Sequence, residues 1–155
     1  MNLLKTFVEA KLTCYENKFD NWKDAVQASC NPMIEQGVID QRYVEAIFAC
    51  VEKYGPYICI APNIAIPHST EGAEGVNKTA IGFMHVNESV YFDENDSEKN
   101  AKLFFVLAAS NHEEHMNNMM QLCNVLMNED LVEDLLEVKC DEDLLKVADK
   151  YFHED

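Results

Sequence analysis

The stretch Tyr54–Thr70, YGPYICIAPNIAIPHST, constrains the fold of this chain more than any other. It holds three of the four prolines and two short apolar runs, Ile58–Ala61 and Ile64–Ile66, and it closes on Pro67-His68. Apolar runs of this length, bounded by Pro and Gly and rich in β-branched residues, read as buried strands. Pro67 has no N–H to give a sheet ladder, so it ends the second strand or lies at a sheet edge. The His68 imidazole therefore stands at a strand end, behind a residue of fixed φ.

The rest of the chain supplies the layers around those strands. Leu3–Val8 reads as a short amphipathic piece and Leu12–Tyr15 as an edge strand. Asp20 or Asn21 caps a helix reaching about Gln36, which Pro32 is expected to kink or break, with Gly37 as its C-cap candidate. Asp40 caps a second helix, where Tyr43, Val44, Ile47, Phe48 and Val51 recur at helical spacing up to Gly55-Pro56. After the polar loop Glu71–Lys78, Thr79–Val86 is a strand and Asn87–Asn100 a polar excursion interrupted by Val90-Tyr91-Phe92. Lys102–Ala109, KLFFVLAA, is the near-continuous apolar run expected of a central strand covered on both faces. Ser110 or Asn111 caps a Met-rich helix that its composition predicts to be thoroughly buried. Glu129–Val138 forms a short helix, and Asp141 caps a last one through Phe152. The pattern predicts one α/β domain over residues 1–155. It is a three-layer sandwich with a mixed, mostly parallel-containing sheet of about five strands and helices on both faces.

Charge narrows the partners. The formal net charge is −16, and Arg42 is the only arginine. A nucleic-acid backbone or an anionic membrane surface is disfavoured by such a chain, whereas a basic protein is attracted and steered. No apolar run approaches the ~18 residues of a membrane span, and the N-terminus lacks a signal-peptide core. The expectation is a cytoplasmic protein without direct membrane insertion. The six cysteines contain no CxxC pair, so they read as reduced, mostly buried small hydrophobes.

Chemistry concentrates on histidine. Pro67-His68 is one candidate. His112 and His115, at i and i+3 on the start of a helix, share a face and with His68 could form a metal site for a hydrolase. The reading preferred over a metal site is a solvated first turn with acids near the positive dipole end. The third candidate is His68 with His115, which follows the KLFFVLAA strand. Ligands of open α/β sheets collect at such strand ends, and the helix N-terminus accommodates an anion.

Taken together, YGPYICIAPNIAIPHS, the long strand, the polar excursion, KLFFVLAAS and EEHMNNMMQLCNVL resemble the enzyme IIA (EIIA type-2) domains of the sugar phosphotransferase system. The resemblance is to the mannitol–fructose class and, within it, the ascorbate-type branch, over about Trp22 to Ala148. It implies a phosphotransferase in which His68 is phosphorylated and His115, rather than His112, stabilises the phosphoryl group, with Ser69 in support. It implies the phosphocarrier HPr as donor, a cysteine of a cognate IIB component as acceptor and a membrane IIC component beyond it, for uptake of a sugar or ascorbate. No metal or organic cofactor is implied. A regulatory interaction module of the same fold is the alternative, and Met116–Met127 offers a surface for a homodimer. The chain departs from the family pattern at Ser69-Thr70, where Ala-Arg is common, and at Asn63, where Gly is usual. Arg42 lies too early on its helix to match the mannitol-type arginine. Charge stabilisation then falls to Lys53, Lys78, backbone amides or the partner.

Overall fold

The structure, a computed structural model, describes residues 2–152. Its five strands are β1 (Thr13–Glu16), β2 (Cys59–Ala61), β3 (Ile64–Ala65), β4 (Ala80–Tyr91) and β5 (Asn100–Ala108), in the sheet order β1-β4-β5-β3-β2. β1 is parallel to β4 and β3 is parallel to β5, while β4–β5 and β2–β3 are antiparallel. The sheet is open and mixed, with β5 in its middle, where an uninterrupted apolar strand belongs.

Among the described residues six helices cover it: α1 (Leu3–Glu9), α2 (Trp22–Glu35), α3 (Gln41–Tyr54), α4 (His112–Leu126), α5 (Glu129–Leu135) and α6 (Asp141–Tyr151). The period-2 alternation of β5 divides the core between two faces. Phe104, Val106 and Ala108 join Val26, Cys30, Val44 and Ile47 of α2 and α3 in one cluster. Leu103, Phe105 and Leu107 join Leu4, Leu122, Leu135 and Leu144 of α1, α4, α5 and α6 in the other. This is the predicted α/β sandwich, with two helices on one face and four on the other.

The local start signals hold. Asn21, Asp40 and Asn111 accept backbone N–H bonds as N-caps of α2, α3 and α4. Four expectations need correction. Pro32 lies inside α2 without dividing it. Cys30 and Met33 beside it are fully buried against the sheet, and retaining that packing offsets the missing proline N–H. β4 runs on to Tyr91 through a bulge between His85 and Val90, because Val90 and Tyr91 pair with Ala101 and Asn100. The polar excursion is thus half strand. The N-cap of α6 is Cys140, which makes no side-chain cap bond, and Asp141 is the first helical residue. Finally, α4 is not thoroughly buried: Met116 and Met120 on it, and Met127 at its C-cap, are 49%, 63% and 78% exposed.

The β2–β3 turn explains one departure noted above. Asn63 stands at φ +73, a region that Asn tolerates better than most residues with a side chain. Its carbonyl accepts from Lys102 N–H and Leu103 N–H, both at 2.9 Å, and its side chain accepts from Asn100 at 3.3 Å. The turn is tied to β5 without needing glycine.

Candidate functional site

Because β3 and β5 are neighbours and parallel, their carboxyl ends lie on one edge of the sheet. The chain leaving β3 carries His68, and the chain leaving β5 enters α4 with His115. Between them is a cavity of about 500 Å³, lined by Tyr43, His68–Thr70, Gly72, Ala73, Ala109–His112, His115 and Met116. The crevice at the carboxyl ends of strands is where an open α/β sheet places its ligands.

His68 is only 9% exposed. Its Nδ1 lies 2.6 Å from the Ile66 carbonyl, which can only accept, so Nδ1 carries the proton and Nε2 keeps its lone pair. Burial pushes the imidazole below its usual pKa; the Ile66 carbonyl opposes this, and His115 adds to the depression. The Tyr57 ring meets the His68 ring edge-on at 5.2 Å, and its hydroxyl donates to the His68 carbonyl. The result is a neutral imidazole with one nitrogen fixed and the other available.

The His115 ring lies 5.3 Å from that of His68, tilted by 33°. Burial, then the proximity of His112, lowers its pKa. α4 is held at its start by Asn111, whose side chain accepts from Glu114 N–H at 2.9 Å. Thr79 braces the same turn, donating to Glu114 at 2.5 Å and accepting from Ser110 N–H at 3.0 Å. Asn118, buried one turn further, donates to the carbonyls of Ala108 and Ala80 at 3.2 and 3.4 Å. These bonds lock α4 to the ends of β4 and β5 and direct its positive end towards the cavity.

The cationic helpers suggested by the sequence are elsewhere. Lys53 is paired with Glu71 at 3.0 Å on the surface, and Tyr54 donates to the same carboxylate. Arg42 bonds Asp40 at the start of α3. Neither these nor Lys78 lines the cavity, whose polar groups are histidines, hydroxyls and an amide. His112 does line it. Among the described residues, however, no group of three or more His, Cys, Asp and Glu side chains is disposed to hold a metal ion.

Three site residues escape a sequence reading. Tyr43 and Tyr57 look like apolar-face residues, and nothing local marks their hydroxyls. Cys50 looks like core, yet its Sγ lies 3.7 Å from Ser69 Oγ and 3.6 Å from Thr70 Oγ1. Burial raises its pKa, but bonds from Thr70 and Ser69 together outweigh that and leave the thiol below its usual value. Of the other cysteines, Cys30 and Cys59 are buried, Cys14 is half-buried, and Cys123 and Cys140 are exposed.

A neutral imidazole at the carboxyl edge of an α/β sheet, facing a helix N-terminus, marks a class of α/β domains whose strand-end crevice can accommodate an anionic group. Within that class, the chain belongs to the phosphoenolpyruvate-dependent sugar phosphotransferase system EIIA 2 family, whose model matches residues 6–151. It is 26% identical over 151 residues to the ascorbate-specific PTS system EIIA component of Shigella boydii, covering 97% of both chains. The solution structure of the mannitol-specific cryptic phosphotransferase enzyme IIA of Escherichia coli superposes with a TM-score of 0.80 at 26% identity, covering 97% of this chain and 99% of that one. The E. coli mannitol enzyme IIA, solved in complex with phosphorylated enzyme IIB, superposes with a TM-score of 0.77 at 26% identity over 91% of this chain and 96% of that one. No helix among the described residues is long and apolar enough to cross a membrane.

Proposed function

We propose that this chain is a cytoplasmic phosphoryl carrier that accepts phosphate on His68 Nε2 from phosphorylated HPr and passes it to a cysteine of a IIB component. The observation that carries this reading is the Nδ1 contact with the Ile66 carbonyl, which leaves Nε2 as the nucleophile inside the cavity. The Nε2 lone pair forms the new N–P bond as the donor's P–N bond breaks, and Nδ1 keeps its proton throughout. In the second step a IIB thiolate attacks phosphorus and the imidazole leaves neutral. Depression of the His68 pKa keeps the nucleophile unprotonated at neutral pH. His115 and the first turn of α4 hold the phosphoryl oxygens, Ser69 assists, and catalysis is positioning plus charge stabilisation.

Relatives named ascorbate-specific and mannitol-specific match over 97% of this chain at 26% and 27% identity, so the transported substrate is proposed as ascorbate or a sugar. The solved complex of a mannitol IIA with its phosphorylated IIB supports a IIB partner here. One observation favours the regulatory alternative: among the described residues no lysine or arginine lines the cavity, so transfer draws on fewer fixed cations. The test is incubation with phosphoenolpyruvate, enzyme I and HPr, followed by intact mass. The expected result is one acid-labile phosphoryl group, absent from His68→Ala, that moves rapidly to a IIB thiol. Absence of any gain refutes the carrier role, and a stable phosphoprotein that no IIB thiol discharges selects the regulatory reading.

A further inference from the structure

The peptide unit joining His68 to Ser69 is held at both ends by phenols. Its carbonyl accepts from the Tyr57 hydroxyl. Its N–H donates to the Tyr43 hydroxyl at 3.3 Å, and Tyr43 donates in turn to the Leu107 carbonyl at 2.5 Å. Leu107 N–H already reaches the Pro67 carbonyl at 3.0 Å, as part of the parallel register between β3 and β5. In a regular parallel ladder the next bond runs from Ser69 N–H straight to the Leu107 carbonyl. Here a hydroxyl stands between the two groups. Tyr43 takes the place of that ladder bond, so the chain after β3 parts from β5 one residue beyond His68.

We propose that Tyr43 and Tyr57 are positioning residues for His68: a hydroxyl inserted into the β3–β5 ladder opens the strand ends into the cavity, and the second phenol fixes the carbonyl end of the same peptide. This inference rests on the reading of His68 as the phosphoryl acceptor. Tyr43 lines the cavity, and its ring is buried with the α3 cluster, so its hydroxyl is held from behind by the core. Tyr57 adds an edge-on contact to the His68 ring. Between them the peptide that follows the nucleophile is held at both of its polar groups, which reinforces the orientation set by Nδ1 and the Ile66 carbonyl. Neither phenol needs to touch the phosphoryl group.

Removing a hydroxyl while keeping the ring isolates the device. Tyr43→Phe, Tyr57→Phe and the double variant are compared with Tyr15→Phe, which removes a hydroxyl bonded to Asp141 on the β1 edge. Two readouts are taken on each. The first is the single-turnover rate of phosphoryl transfer from phosphorylated HPr, measured below the melting temperature. The second is the tautomer of the His68 ring, read from its imidazole nitrogens by NMR without phosphorylation. The expected result is a transfer rate on the order of tenfold lower in each site variant, since small misplacements of a reacting group are costly. Mixing of the two tautomers accompanies it, while Tyr15→Phe keeps the native rate and tautomer. A double variant that transfers within twofold of the native rate and retains a single Nδ1–H tautomer overturns the proposal. If the native protein accepts no phosphate, the carrier reading fails, and the NMR comparison still decides whether the phenols position His68.

Discussion

Gly75 offers a direct test of how the loop after His68 is fastened to α3. Its φ is +85, and a Cβ built there would lie 2.5 Å from the Tyr43 backbone nitrogen and 3.0 Å from the Asp40 carboxylate. The Gly75 carbonyl also accepts the N–H of Asp40, the N-cap of α3, at 2.9 Å. Gly75→Ala therefore carries three costs. Left-handed backbone with a side chain costs about 1–2 kcal/mol. Forcing a methyl against helix backbone costs roughly 1–3 kcal/mol. The displaced hydrogen bond adds about 1 kcal/mol. The three sum to about 3–6 kcal/mol, a large share of the ~5–15 kcal/mol that holds a domain together. Gly37→Ala is the control, because Gly37 has a similar φ of +74 and nothing within 4 Å of its Cβ position. It bears only the backbone cost, about 1–2 kcal/mol. Urea unfolding of both variants isolates the clash as their difference, expected at about 2–4 kcal/mol from the overpacking and hydrogen-bond contributions. Equal losses in the two variants refute the close-approach argument.

Two further outcomes follow from the buried polar groups. His68 and His85 are both buried, and desolvation leads in lowering each below the ordinary value of 6.5. The unfolded chain then binds more protons than the folded one just below pH 6.5, so stability falls as the pH drops through that window towards the depressed folded-state values. A urea midpoint lower at pH 5.5 than at pH 8, with part of the difference removed by His68→Gln, is the expected result; equal midpoints refute it. Asn118→Leu keeps the volume of a side chain that serves the Ala108 and Ala80 carbonyls, and leaves both without that donor. The expected loss is about 2 kcal/mol by urea unfolding, and a variant as stable as the native protein contradicts the assignment.

Much of this molecule is written locally. Asn21, Asp40 and Asn111 start helices because a short acceptor side chain ahead of an apolar period satisfies free N–H groups wherever it occurs. KLFFVLAA is a central strand because both of its faces are apolar. Pro67 marks the approach of a strand end in the sequence because it has no N–H to give the ladder, although its carbonyl still accepts from Leu107 N–H and the parting itself comes at Ser69. The family resemblance rests on the same stretches, and the fold it implies is the fold observed.

Other features depend on groups distant in the chain. Nothing near Val90 or Tyr91 shows that β4 continues, because the reason is the pairing edge offered by Asn100 and Ala101. Pro32 looks like a break until the burial of Cys30 and Met33 is counted. Met116, Met120 and Met127 look like core, but four helices share one face of the sheet and α4 turns much of its surface outward. Lys53 looks like a free cation until Glu71 meets it. The site follows the same division. The sequence by itself marks His68 and His115, since a strand end and a helix start are local events. Only the tertiary structure decides that their rings stand 5.3 Å apart, that Nε2 is the free nitrogen, and that two phenols hold the next peptide. Those depend on β3 lying parallel beside β5 and on α3 packing across them, and long-range pairing of this kind leaves no periodic signal in the residues that make it.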